Sequence, residues 1–574
     1  MYTSLVTLLL PGLLSLWLAL SSPLVDFQVA QPLTLPQDTK QCTNMILQRI
    51  FASSYGSPEV VRYNPPTDCG PLGSWAGISL NFTVTSNGTQ YDRLGIFTLD
   101  NVEIWRTSTP EPTRGDGIIW TYLKDVTRYT PLFAKNGTFV LELDNIVETG
   151  LDGEYATTLY ATFYESSTQN PPGEHADLII PVTTLEANSG DLASVPPAFS
   201  LNVTFPTNAA SVYAEIIPSG NAQEEFWSMN VPNQYFSALP SGTTYGDGPF
   251  RETRLFVDGL LAGVIFPYLV VFTGGIAPTL WRPIAAYAAL DLPTYYIDLT
   301  PFVPILSDGK PHNITLDVVS AEANHTINQN WYVTANLQVV LDPSDKATTG
   351  AMTVHSAPLY ASTTTTGKVD AVGDVDFTVR ASHNIHIESD VVTGSGMRTH
   401  VVWSQTLSYE NTQTYRQNAS VQTLYQIAQG TMSSTHNGAQ TLIDDFTFPF
   451  SMNFTYTDTN WTTWITSVDH SYNRALLPAP FILQTNSQES QKANAFFELA
   501  STGNFGNGTS SNTFSYSDIK DNTYTRSVSS VNTTITSDRE GGSSANVNFR
   551  STSNSVDTAQ VGFARPRLPG RSAP

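Results

Sequence analysis

The chain has 574 residues, of which 13% are charged, about half the usual share. Its 50 acidic against 27 basic residues leave a formal net charge of −23. That balance excludes a nucleic-acid binder, which needs a basic footprint to neutralise phosphates. A hydrophobic share of 40% and an aromatic share of 11% likewise exclude a mainly disordered chain.

The N-terminus opens on an uncharged apolar run, Leu5 to Leu20, followed by Ser21 and Ser22. It predicts a secretory signal peptide over 1–24, with retention as an uncleaved anchor as the alternative. No later stretch reaches the ~18 apolar residues of a membrane helix, and the C-terminus has no apolar tail for a lipid-anchor signal. The mature form is therefore expected off the membrane unless that segment is retained. The expected location is extracellular, or an acidic vacuole reached through the secretory pathway. Eleven Asn-x-Ser/Thr sequons support secretion: Asn81, Asn87, Asn136, Asn202, Asn313, Asn324, Asn418, Asn453, Asn460, Asn507 and Asn532. The two cysteines, Cys42 and Cys69, predict one disulfide in an oxidising compartment.

Period-two alternation dominates the rest of the chain. Ile78–Val84, Thr138–Leu143 and Trp331–Val339 read as strands bounded by Gly, Pro, Asn and Asp. Residues 41–52 and 486–500 are the best helix candidates. Residues 120–140 and 294–315 echo each other: an aromatic strand, Asp-(Val/Leu)-Thr, an apolar stretch, a turn and a sequon. Residues 93–100 and 253–258 echo likewise. The expectation is an all-β chain of two tandem antiparallel jelly-roll or β-sandwich domains, over 25–190 and 191–345. After them come a C-terminal β-rich domain over 346–536 and a flexible polar tail over 537–574.

Neither a nucleophile elbow nor a Gly-rich phosphate loop occurs. His383 and His386, three apart in a strand, point to opposite faces and read as surface histidines rather than a metal pair. Arg114-Gly115-Asp116 reads as a chance tripeptide in a loop. Charge concentrates instead in 91–128, YDRLGIFTLDNVEIWRTSTPEPTRGDGIIWTYLKDVTRY, and in the pair Glu224-Glu225 before Phe226-Trp227. A Gly/Pro-shaped run, FTGGIAPTLWRP, adds Trp281 and Arg282. Carboxylates with Trp and Arg suit a carbohydrate ligand, but ordinary strand-end salt bridges account for the same residue types about as well.

The segments YDRLGIFTLDNVEIWRTSTPEPT, GIIWTYLKDVTRYTPLF, FPTNAASVYAEI, EEFWSMN, GPFRETRLFVDGLLAGVIFP, FTGGIAPTLWRPI, LSDGKPHNITLDVV and NWYVTANLQVVLD settle that ambiguity. In this order they resemble the peptide:N-glycanase A family over about 65–342, and HIES through QNASVQTLYQ resembles its C-terminal region. The resemblance implies two adjacent jelly-roll domains with a site between them. It also implies hydrolysis of the N-acetylglucosaminyl-asparagine amide of N-glycopeptides or glycoproteins, with no metal or cofactor. Asp92 is the expected base, with Glu225 and Glu111 as further catalytic residues. Arg93, Glu224, Trp120, Trp281 and Arg282 are the expected substrate contacts. Where the family often carries His and Gly before the acidic pair, this chain reads Ser219-Gly-Asn-Ala-Gln223. The competing readings are an N-glycan-binding lectin and an endoglycosidase.

Overall fold

The computed structural model describes residues 22–481, 483–500 and 503–545. The apolar run Leu5–Leu20 and the expected tail from 546 onward lie outside these residues. Among the described residues no helix is long and apolar enough to cross a membrane.

Nine strands build a first sandwich: β1 (Leu24–Val25), β2 (Gln41–Phe51), β3 (Glu59–Tyr63), β4 (Gly77–Asn87), β5 (Leu94–Leu99), β6 (Val102–Ser108), β7 (Ile118–Asp125), β8 (Gly137–Leu143) and β9 (Glu154–Tyr164). One sheet runs β1-β7-β4-β9-β2 and the other β3-β8-β5-β6, with only β1–β7 parallel. Alternation in β4 turns Ile78, Leu80, Phe82 and Val84 inward, all fully buried. Phe82 meets Phe97 of the facing sheet edge-on at 5.0 Å, a geometry that adds about 0.5–1.5 kcal/mol to the area buried. Cys42 and Cys69 form the expected disulfide, with Cα atoms 5.9 Å apart.

The second sandwich repeats the first. Its strands are β10 (Leu178–Val182), β11 (Ala193–Val195), β12 (Phe199–Thr204), β13 (Ala209–Asn221), β14 (Glu252–Val257), β15 (Leu260–Ile265), β16 (Tyr295–Asp298), β17 (Pro311–Val319) and β18 (Asn330–Leu341). Its sheets run β10-β18-β13-β16 and β12-β17-β14-β15. Leaving out the short β1 and β11, these orders match β2-β9-β4-β7 and β3-β8-β5-β6 strand for strand. The sequence echoes fall where this duplication puts them. Residues 120–140 and 294–315 both form a strand, a short helical turn (Thr127–Phe133, Thr300–Leu306) and a strand.

The third body is one antiparallel sheet of eleven strands: β19 (Thr349–Ser356), β20 (Ser362–Val369), β21 (Val375–Val392), β22 (Arg398–Arg416), β23 (Val421–His436), β24 (Ala439–Tyr456), β25 (Thr463–Leu477), β26 (Thr485–Glu498), β27 (Phe505–Asp518), β28 (Thr523–Val531) and β29 (Thr534–Gly541). Ser537–Gly541 therefore belong to the last strand, not to a tail. One face of this sheet shares a continuous core with the second sandwich. Gln405 bonds both the N–H and the C=O of Val264, at 2.9 and 2.8 Å, capping the open edge of β15.

Both helix candidates are strands. Residues 41–52 form β2, where a register shift between Met45 and Leu47 breaks the alternation. Residues 486–500 fall largely in β26, whose inward positions include the polar Glu489 and Gln491 and so hide its two-residue period. His383 and His386 do lie on opposite faces, but His383 is not a surface residue. It is buried, with Nδ1 2.7 Å from Glu252 Oε2, because β21 turns it into the core.

The two sandwiches are locked along β6. Ser108 N–H donates to Ala289 O at 2.8 Å and Leu292 N–H to Arg106 O at 3.0 Å, extending the sheet into the neighbour. Arg106, ion-paired to Glu103 at 2.7 Å with both side chains buried, also donates to Ser219 Oγ and Tyr332 O across the seam. Residues flanking this seam form the candidate site.

Candidate active site

Asp92 and Arg93 lead into β5. Arg93 N–H donates to Thr109 Oγ1 at 2.8 Å and Thr109 N–H returns to Arg93 O at 2.9 Å. This pairing extends the β5–β6 hairpin, so Glu111, two residues beyond Thr109, comes back beside Asp92. Thr273 Oγ1 donates to Thr109 O at 2.6 Å and brings in the loop of the second sandwich that holds Gly274. The Gly274 N–H then donates to Asp92 Oδ2 at 3.2 Å.

Gly274 is required by this packing. A β-carbon there would stand 2.3 Å from Glu111 Oε1 and 2.9 Å from Asp92 Oδ1. Both carboxyl groups thus close on one α-carbon.

Glu225 enters from the second sandwich on the turn after β13. Its neighbour Glu224, an expected substrate contact, has an internal role instead. Glu224 is fully buried, bonded by Arg251 at 2.5 and 2.7 Å, by the Asn328 N–H at 2.9 Å and by Trp331 Nε1 at 2.8 Å. Burial raises its pKa, but the Arg251 charge and these bonds prevail and hold it below the ordinary carboxylate value. So anchored, Glu224 fixes the turn from which Glu225 projects. The turn folds back so tightly that a β-carbon on Gly220 would meet Glu224 O at 2.1 Å.

The three remaining carboxyl groups repel one another in a half-buried setting. Burial raises Asp92, against the pull of the Gly274 N–H and the Arg93 charge. Burial, then the Asp92 charge, pushes Glu111 up to about 7, with Arg282 opposing. Burial, then Asp92 and Glu111, pushes Glu225 up to about 8. Such a cluster holds protons into the neutral range, so acid and base forms coexist in one site.

A cavity of about 110 Å³ opens between Asp92, Arg93, Ser108, Asn221, Glu225 and Phe272. It has room for an amide group and a few waters; a disaccharide must lie in its mouth. Arg93 lines it, aimed by Gln90 Oε1 at 2.7 Å and Asn145 Oδ1 at 3.3 Å. Arg282 reaches Glu111, with Nη2 2.9 Å from its carbonyl oxygen and 3.6 Å from Oε2. Among the described residues no group of three or more His, Cys, Asp or Glu is arranged to hold a metal ion.

Two expected sugar contacts stand behind the site rather than in it. Trp120 is 1% exposed, edge-on to Tyr155, whose hydroxyl donates to Tyr91 O at 2.8 Å. Trp281 is also 1% exposed, and its Nε1 donates to Gly275 O at 2.8 Å, bracing the loop that holds Gly274. Both are hydrophobic props, as large aromatics near a rigid loop usually are. Phe272 is the aromatic in the cavity wall, and Tyr91, 59% exposed, precedes the lining residue Asp92 in the chain. Tyr91 adjoins Asp92, which sequence reading singled out, and Phe272 opens the FTGGIAPTLWRP run in which it singled out Trp281 and Arg282; those positions were the available signal. Sequence reading also passed over Asp26. It is 1% exposed, neither carboxyl oxygen has a hydrogen-bond partner among the described residues, and burial pushes it up to about 7 against the attraction of Arg282.

Comparison with known proteins bears on this arrangement. Residues 32–358, more than half the chain, match the family described as Peptide N-acetyl-beta-D-glucosaminyl asparaginase amidase A. This chain belongs to that family. The family's C-terminal domain matches over 376–450, within the eleven-stranded sheet. A Peptide-N4-(N-acetyl-beta-glucosaminyl)asparagine amidase A of Prunus dulcis is 38% identical over 358 residues. That match covers 59% of this chain and 61% of the relative, so the likeness spans about three fifths of its length. A crystal structure of a peptide-N(4)-(N-acetyl-beta-D-glucosaminyl) asparagine amidase is 14% identical, covering 53% of this chain and 97% of that one, with a TM-score of 0.35. At that score the likeness carries no argument about the site.

Proposed function

We propose that this chain is a glycoamidase that hydrolyses the amide between asparagine and the first N-acetylglucosamine of N-glycopeptides or glycoproteins. The observation that carries the reading is that Asp92 and Glu225, from two sandwiches, line one small cavity, with Glu111 packed beside Asp92 against Gly274. Membership of the amidase A family supports it. Asp92, held by the Gly274 N–H beside an arginine, acts as general base and takes a proton from water. That water adds to the asparagine side-chain carbonyl carbon. Protonated Glu225 donates a hydrogen bond to the developing oxyanion, the position where a fixed donor lowers the barrier most. As the C–N bond breaks, the leaving nitrogen takes a proton from protonated Glu111, leaving aspartate and a glycosylamine. Arg93, Phe272 and Tyr91 flank the mouth and bind the sugars, Arg93 through hydroxyls and the rings through apolar sugar faces.

Secretion fits this substrate. Nine of the eleven sequon asparagines are exposed, Asn81 and Asn313 being half-buried, and the disulfide suits an oxidising compartment.

The test is an N-glycopeptide incubated with the protein at pH about 5, below the values to which Glu111 (about 7) and Glu225 (about 8) are pushed, so that both keep their protons. Mass spectrometry of the peptide is expected to show asparagine converted to aspartate and the whole glycan gone. A peptide retaining one sugar would mean an endoglycosidase, and an unchanged peptide that still binds would mean a lectin.

A further inference from the structure

The outer face of the eleven-stranded sheet, turned away from the second sandwich, carries a groove of about 490 Å³. Its lining contains no charged residue. Three sequon asparagines from distant parts of the chain meet in it: Asn453 on β24, Asn507 on β27 and Asn532 just after β28. All three are exposed. Between them lies an apolar strip, with Phe496 of β26 paired in register with Asn507 on one side and Ile465 of β25 on the other. Ile465 and Val531 are each 48% exposed, and the Phe496 ring lies 6.2 Å from Phe505, itself 60% exposed. Solvent-facing strands are ordinarily polar, so Ile465, Phe496 and Val531 offer apolar surface that a cover would take out of water. Amide and hydroxyl edges around an uncharged apolar floor are the chemistry that takes up a neutral sugar.

We propose that this groove is a carbohydrate-binding surface for the chain's own N-glycans. The stems on Asn453, Asn507 and Asn532 lie over Ile465, Phe496 and Val531 and cover the apolar strip. The groove also backs the loop of the proposed active site. On the inner side of β27, a β-carbon on Gly508 would stand 2.2 Å from Thr279 O, in the run between Gly274 and Arg282. Glycans over the outer face therefore brace the strand against which that loop rests. This inference needs transit through the secretory pathway but does not rest on the glycoamidase reading.

The full chain, made in a eukaryotic secretory host, is digested for glycopeptide mass spectrometry and, separately, exposed natively to an endoglycosidase that cuts between the two stem sugars. All three asparagines are expected to carry glycan. Release from them should be at least about tenfold slower on the native than on the denatured protein, the factor given by roughly 1.4 kcal/mol of packing. Phe496→Ser, at a half-buried outer position, should abolish that protection while leaving occupancy unchanged. The triple variant Asn453→Gln/Asn507→Gln/Asn532→Gln should bind more of an apolar dye than an Asn136→Gln control. Unmodified groove asparagines would overturn the proposal, as would equal release from native and denatured chains. So would a concentration-dependent dimer that buries this face in the glycosylated protein.

Discussion

At Gly274 one hydrogen atom stands where any other residue would put a methyl group into two carboxyl groups at once. Gly274→Ala must push Glu111 or Asp92 out of place, the methyl falling 2.3 Å from one and 2.9 Å from the other. Because the loop is braced by Trp281 and Thr273, we expect turnover to fall roughly 10²-fold, as misplacement by about 1 Å does. The stability cost should be the modest ~1–3 kcal/mol of an overpacked site. Steady-state kinetics and a denaturant titration separate the two. The raised carboxyls also make a prediction about pH. Glu225 ordinarily ionises near 4.5 and does so near 8 in the fold, so between these values the native protein holds a proton that the unfolded chain has lost. Stability must therefore fall as pH rises through that window. Glu111 and Asp26 act in the same sense up to about 7. Glu225→Gln should flatten the upper part of the decline in a melting-temperature series. An unchanged slope would mean that Glu225 titrates normally.

At the scale of elements, the adjacent pair Glu224-Glu225 divides labour according to what each meets. Removing Glu224 strands the buried guanidinium of Arg251, so Glu224→Ala should cost about 3–5 kcal/mol in a denaturant titration. Glu225→Ala, which removes the proposed oxyanion donor, should fold with a smaller stability loss and lose activity. Equal stability losses would contradict the division. This pair also marks where reading the sequence stopped. Alternation in β4, β8 and β18 made the strands legible, as did the echo of β7 and β16 with their helical turns. The acidic cluster at Asp92 and Glu111 was visible as a charge-dense run in a charge-poor chain. Nothing local separates Glu224 from Glu225, because Arg251, the partner that claims Glu224, lies 27 residues on. The tryptophans misled for a related reason: Trp120 and Trp281 have the composition of sugar platforms, but long-range packing puts them behind the loops. Strand β2 was hidden by its bulge and β26 by buried Glu489 and Gln491, features set by partner strands.

For the molecule as a whole, duplication supplies the cleft. Two sandwiches of matching strand order, joined where β6 of the first bonds the 289–292 segment of the second, bring the leads into β5 and out of β13 together. The third sheet covers the second sandwich and backs the loop that carries Gly274 and Arg282. On the proposed mechanism this cleft directs water to the asparagine carbonyl rather than to the sugar. The deciding measurement is turnover of an N-glycopeptide in heavy-oxygen water, with the label located in both products. The proposed mechanism predicts one labelled oxygen in the new aspartate, whatever oxygen the released glycosylamine takes up in its own later hydrolysis, and loss of the aspartate label in Asp92→Asn at unchanged fold. Label at the sugar's anomeric carbon with asparagine regenerated, or full labelling of aspartate by Asp92→Asn, would contradict it.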